Sequence, residues 1–140
     1  MSPAHGPASR TVLVTGATRG LGRRTAELVA AAGHHVLVAG RDLDDADAVV
    51  DGCEGRATAV ELDVADPASI ERLARELERR SFAVDVLVNN AGLCLSDGPL
   101  GISEAELADE MATNVYGPWL LRRAFVPGMV ARRWGRIVHI

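Results

Sequence analysis

Residues 11–22 read Thr11-Val12-Leu13-Val14-Thr15-Gly16-Ala17-Thr18-Arg19-Gly20-Leu21-Gly22. The first five are apolar and β-branched, the composition of a buried strand. The three glycines that follow make a turn spaced G-x-x-x-G-x-G, after which apolar residues recur at helical spacing. Gly16 can turn the chain sharply, and Gly20 lets the backbone approach an anion with no Cβ in the way. Gly22 lets the helix pack close to the strand. In this strand–turn–helix context the free N–H groups and the helix dipole face a phosphate.

Outward from this turn the chain alternates strands and helices. Leu21, Thr25, Leu28, Val29 and Ala32 are the expected apolar stripe of the first helix, which ends at Gly33. A second buried strand is expected over residues 36–39, stopped by Gly40, and a short acidic helix over 42–50, broken by Gly52 and Gly55. A third strand follows over 57–62. Asp66-Pro67 starts a helix as an N-cap followed by proline at the first helical position, with Ile70, Leu73, Ala74 and Leu77 as its stripe and Glu71 and Arg75 as an exposed i,i+4 pair. A fourth strand is expected over 84–88. Ser103 and Glu106 form a capping box, a longer helix runs over about 114–130 with Pro127-Gly128 bending or ending it, and a fifth strand covers 136–140. Strands apolar on both faces, alternating with helices, imply a parallel sheet covered on both sides.

The chain has 140 residues, a net charge of −4 and 48% hydrophobic residues, an ordinary globular composition. A mildly acidic chain is a poor non-specific nucleic-acid binder, and no apolar run approaches the ~20 residues of a membrane helix. All 15 basic residues are arginine, so chemistry that needs a lysine ammonium is excluded within these residues. Cys53 and Cys94 are too few for a disulfide scaffold and have no metal-ligand spacing, which suits free thiols in a reducing cytoplasm. Residues 1–9, with two prolines and no apolar core, read as a disordered tail and not a secretion signal. His34-His35 is not expected to bind metal. Trp119, Leu120, Phe125 and Trp134 are expected in core or helix contacts, and the arginine pairs 122–123 and 132–133 on solvated faces.

Five ordered motifs make the chain resemble the short-chain dehydrogenase/reductase family over residues 10–140. Thr15 to Gly22 is similar to its glycine fingerprint. Asp63-Val64 resembles its adenine-binding pair, and Asn89-Asn90-Ala91-Gly92 its N-N-A-G motif. Asn114-Val115 resembles its catalytic-asparagine position, and residues 135–138 the run into its catalytic-serine strand. The resemblance implies a Rossmann-like doubly wound α/β sheet of order 3-2-1-4-5, truncated after the fifth strand. It implies cofactor contacts at Gly16, Thr18, Arg19, Gly20, Leu21, Gly22, Arg41, Asp63, Val64, Asn90, Ala91 and Gly92. Of Asn89 and Asn90, one is expected to tie neighbouring strands and the other to face the cofactor ribose; the resemblance favours Asn90 at the cofactor.

A carboxylate at the end of the second strand marks a site that reads a ribose 2′-hydroxyl. By the family pattern that position is Gly40. Arg41 follows it, and Arg19 lies in the turn, so two guanidinium groups suit a 2′-phosphate: NADP is expected over NAD, with Asp42 pointing elsewhere. The family's reaction is hydride transfer between a nicotinamide and a carbonyl or alcohol, assisted by Ser, Tyr and Lys, with an asparagine holding a relay water. Only Asn114 of that set is present. The single tyrosine, Tyr116, has Leu120 four residues later where the family has lysine. The expectation is therefore the cofactor-binding portion of a cytoplasmic oxidoreductase, with a non-catalytic NADP-binding module or a subunit completed by a partner chain as the alternative. Residues 10–140 are expected to form one nucleotide-binding domain, incomplete at its C-terminus, with an open, apolar fifth strand. Cys94, Leu95 and Ser96 are placed near the substrate, and the helix over 114–130 is a candidate contact between copies.

Overall fold

The computed structural model describes residues 9–95 and 101–140. The expected tail, except Ser9, and the placement of Ser96 lie outside the described residues. Five parallel strands run β1 (Thr11–Thr15), β2 (His35–Gly40), β3 (Ala57–Glu61), β4 (Val86–Asn89) and β5 (Arg136–His139), in the spatial order β3-β2-β1-β4-β5. The helices are α1 (Gly20–Ala31), α2 (Leu43–Val50), α3 (Pro67–Arg79), α4 (Glu104–Met111) and α5 (Gly117–Ala131).

Successive strand residues face opposite sides, and here the two sides differ in size. Leu13, Leu37 and Leu87 point to one face and pack with Leu73, Leu77 and Leu121 from α3 and α5. Val12, Val14, Val36, Val38 and Val88 point to the other and meet Ala26, Ala30, Ala46 and Val49 from α1 and α2. This corrects the expected stripe of α1 in part: Val29 packs against this cluster as expected, but the leucines do not. The buried residues of α1 are Gly22, Ala26 and Ala30, while Leu21 and Leu28 are 60% and 53% exposed. A surface of small side chains at i, i+4 and i+8 brings the helix close to the flat valine face, a closeness that leucines would prevent.

Helix ends follow local chemistry. Asp66 accepts from Ala68 N at 2.9 Å with Pro67 in the first turn. Ser103 and Glu106 complete their reciprocal capping box. α2 ends at Val50 as expected, giving way to a 3-10 turn at Asp51–Cys53 that contains Gly52, and the left-handed residues Glu54 and Gly55 then stop it. Helices α1, α3 and α5 all end in a Schellman motif, with Gly33, Ser81 and Arg133 in the left-handed position. At α5, Trp134 N donates to Met129 O at 3.1 Å and Arg133 N to Val130 O at 2.9 Å. A left-handed non-glycine residue costs roughly 1–2 kcal/mol. Arg133→Gly is therefore expected to raise stability by up to about 1 kcal/mol after glycine's own entropy is counted, read as a higher denaturant midpoint with unchanged slope.

The largest departure is around Asn114. The separate helix expected over 114–130 is instead the second half of a nearly unbroken run from Glu104 to Ala131, interrupted by a π turn at Ala112–Tyr116. Pro127 lies inside α5 without ending it. Buried Leu121 and Met129 hold α5 against the sheet on both sides of the proline, and tertiary packing outweighs the lost backbone bond. Arg132 is not simply solvated: it donates to Val84 O at 2.6 Å and lies 3.5 Å from Asp85. Trp134 packs under Arg10, whose guanidinium carbon is 3.9 Å from the ring centre, and Trp119 lies beside Arg123. Leu120 and Phe125 pack against the core. β5 is an edge strand with Val138 exposed. The cysteines are free; burial pushes the Cys53 thiol pKa up, and Cys94 is exposed. Among the described residues no group of three or more His, Cys, Asp or Glu side chains is placed to hold a metal, and no helix is long and apolar enough to cross a membrane.

Candidate cofactor-binding cleft

The strand order reverses between β1 and β4, and a cleft of about 490 Å³ opens at the C-terminal ends of the strands there. Open parallel sheets bind ligands at such a switch point. Every residue that the sequence proposed for the cofactor lines this cleft: Gly16 to Gly22 apart from buried Ala17, then Arg41, Asp63, Val64 and Asn90 to Gly92.

The glycine turn is held from three sides. Gly16 has a φ of +60°, and a Cβ there would lie 2.9 Å from Ala91 Cα. Ala17 N donates to Ala39 O at 3.0 Å, fixing the turn to β2. A Cβ on Gly22 would sit 2.3 Å from both the Gly16 carbonyl oxygen and Asn90 Nδ2. Gly20, with a φ of +54°, has open space where its Cβ would be, as a residue bordering a ligand site requires.

The start of α1 is left open. α2, α3 and α4 are each capped by a side chain, Asp42, Asp66 and Ser103. α1 has no side-chain cap and no acidic residue in its first turn. Gly20, Leu21 and Gly22 of its first turn line the cleft, and an uncapped helix start bordering a cleft is an arrangement that an anionic group completes.

Of the two asparagines, Asn90 is the one that lines the cleft. Its Nδ2 donates to Thr15 O at 3.0 Å and to Gly16 O at 3.1 Å, so it ties β4 to the glycine turn and also lines the cleft. Asn89 does neither job: it is buried, and its amide atoms have no hydrogen-bond partner among the described residues. Thr15 was missed as a site residue. Its Oγ1 accepts from Asn90 N at 3.1 Å and Ala91 N at 3.0 Å, pinning the loop after β4. The available signal was a hydroxyl ending an otherwise apolar strand.

Asp63 Oδ1 accepts from Ala65 N at 2.9 Å, a local loop cap, and the residue borders the cleft. Asp42 borders the cleft, but its carboxylate is turned to cap α2, with Oδ1 accepting from Asp44 N and Asp45 N. Arg19 and Arg41 are exposed at the cleft, and neither forms an ion pair among the described residues.

Asn114 lies in the π turn and does not line the cleft. Its Oδ1 accepts from Leu93 N at 2.8 Å and its Nδ2 donates to Leu93 O at 2.7 Å. Both ends of the amide are thus occupied in clamping the loop that continues from Gly92, while neighbouring Thr113 faces the cleft. Gly117, one turn on, lets the helix rest directly on the other wall: a Cβ there would be 2.6 Å from Val64 O. Tyr116 is 57% exposed and does not line the cleft.

The model of the short chain dehydrogenase family matches residues 10–140. The chain belongs to that family. It is 35% identical over 131 residues to the 3-oxoacyl-[acyl-carrier-protein] reductase FabG of Escherichia coli K12, covering 94% of this chain and 54% of that protein. A short-chain dehydrogenase from Streptomyces avermitilis superposes with a TM-score of 0.88 at 38% identity, covering 96% of this chain and 50% of that one. A metagenomic short-chain oxidoreductase solved in complex with NADP gives 0.87 at 33% identity, with 93% and 61% covered. The chain spans about half the length of the curated relatives it matches.

Proposed function

We propose that this short-chain dehydrogenase chain is the NADP-binding portion of an oxidoreductase that interconverts carbonyl compounds and alcohols in the cytoplasm. The observation that carries the cofactor preference is the end of β2. Gly40 stands where a carboxylate would read a 2′-hydroxyl, and Arg41 and Arg19 border the same cleft without carboxylate partners among the described residues. Two unpaired guanidinium groups favour a dianionic 2′-phosphate. The NADP-bound metagenomic relative supports the reading.

The residues fit the group. The open start of α1 and the glycine turn would hold the pyrophosphate, Asp63 and Val64 would border the adenine, and Asn90 to Gly92 the ribose on the nicotinamide side. Bound NADP supplies hydride chemistry. This chain's residues bind and orient: Asn90 holds the glycine turn in shape, and Asn114 positions the loop beyond Gly92. No Ser, Tyr or Lys lines the cleft among the described residues. The α5 surface bearing Trp119, 46% exposed, is the proposed contact between copies.

Titration calorimetry with NADPH and NADH tests the preference. A hydrogen bond to a charged group contributes about 1.5–3 kcal/mol, so NADPH is expected to bind at least about tenfold tighter. Arg41→Ala should remove most of that advantage while leaving NADH within about twofold. Equal or tighter NADH binding by the unaltered chain would overturn the proposal.

A further inference from the structure

We infer that Thr18 is a second determinant of cofactor choice, acting by filling the space that any side chain at position 40 needs; this rests on the NADP reading above. Gly40 closes β2, is buried, and pairs with Glu61 of β3. It is not among the positive-φ glycines, so its backbone would accept another residue. Its smallness has one cause. A Cβ built on Gly40 would be 2.4 Å from Thr18 Cγ2, while its next neighbours, Asp42 O at 3.5 Å and Thr18 Cβ at 3.8 Å, are at ordinary contact distance.

The obstacle is thus one methyl group from the glycine turn. Thr18 is β-branched, and a second staggered rotamer would put its hydroxyl oxygen along the same direction. Only the third clears the space, by turning both heavy atoms elsewhere. A carboxylate at the strand end, the group that reads a ribose 2′-hydroxyl, is therefore blocked by Thr18 as well as absent from position 40. Alanine at position 18 removes the contact outright, because the remaining Cβ is already far enough away. Cofactor choice is then a property of the 18/40 pair, in addition to the attraction of Arg41 and Arg19.

The test is a double-mutant cycle on the 140-residue chain: wild type, Thr18→Ala, Gly40→Asp and both together, titrated with NADH and NADPH. Gly40→Asp alone is expected to bring no gain in NADH affinity, because the clash with Thr18 displaces the glycine turn or turns the carboxylate away, whereas adding it to Thr18→Ala raises NADH affinity about tenfold. Equal NADH gains in the two backgrounds overturn the inference. Should Gly40→Asp not fold, the cycle is run with Gly40→Ala and read by unfolding midpoint. The substitution then lowers the midpoint in the wild-type background and is tolerated in the Thr18→Ala background; equal losses overturn the steric coupling. The wild-type titration separates the two claims. Wild-type preference for NADPH with an additive cycle defeats only the role of Thr18. Absence of that preference defeats the underlying reading and this inference with it.

Discussion

Gly22→Ala is expected both to destabilise the chain and to remove most NADPH binding. The added Cβ would stand 2.3 Å from the Gly16 carbonyl oxygen and 2.3 Å from Asn90 Nδ2. The first is backbone in the turn. The second is an amide already bonded to Thr15 O and Gly16 O. Either α1 moves off the sheet or Asn90 gives up both bonds. Overpacking costs about 1–3 kcal/mol, and leaving a buried polar group unpaired costs a similar amount. A stability loss of about 2–4 kcal/mol is expected from denaturant unfolding, with NADPH affinity down by more than about tenfold. Gly20→Ala is the contrast. Its Cβ meets nothing within 4 Å, so the stability loss should be confined to the roughly 1–2 kcal/mol of left-handed strain, while the methyl enters the ligand's space and binding suffers. Wild-type stability for Gly22→Ala would show that the helix can retreat freely and that the turn is not a rigid cradle.

The second large effect is on turnover. The 140-residue chain is expected to bind NADPH yet reduce ketones, aldehydes and quinones no faster than buffer. A carbonyl that accepts a hydride develops alkoxide charge, which needs a proton donor within hydrogen-bond reach. Losing one preorganised donor to such a charge costs on the order of 10²–10³ in rate. The cleft offers no Ser, Tyr or Lys among the described residues, Tyr116 lies outside it, and both ends of the Asn114 amide are held by Leu93. The assay is loss of NADPH absorbance over a substrate panel, with protein cleared of host reductases. A longer polypeptide, in which this chain is followed by the family's serine, tyrosine and lysine segment, should turn over, and Asn114→Ala in it should slow the reaction by releasing the Leu93 loop. Robust turnover by the 140 residues alone would reveal a proton donor other than these.

The sequence alone determined the alternation of strands and helices and a parallel sheet, features that rest on local, short-range chemistry: β-branched runs, Asp-Pro and Ser-x-x-Glu starts, and glycines at a turn. The strand order and the residues that line the cleft were legible only through the resemblance to the short-chain dehydrogenase/reductase family. Tertiary structure decided what local pattern could not. Leu21 and Leu28 have helical spacing but lie outside, because the sheet face opposite α1 is valine and its closest contacts are the small residues Gly22, Ala26 and Ala30, with Val29 beside them. Asn114 and Pro127 looked like a helix start and a helix stop, yet both lie within one long interrupted run, because α5 is held by the core and Gly117 rests on Val64. Asn90 and Asn89 are indistinguishable by type; Asn89 ends β4 buried and without a side-chain partner among the described residues, while Asn90, just past the strand, sends its amide to the glycine turn. Thr18 and Gly40 are 22 positions apart in the chain, and only the pairing of β1 with β2 brings a methyl group to the place where a side chain would stand.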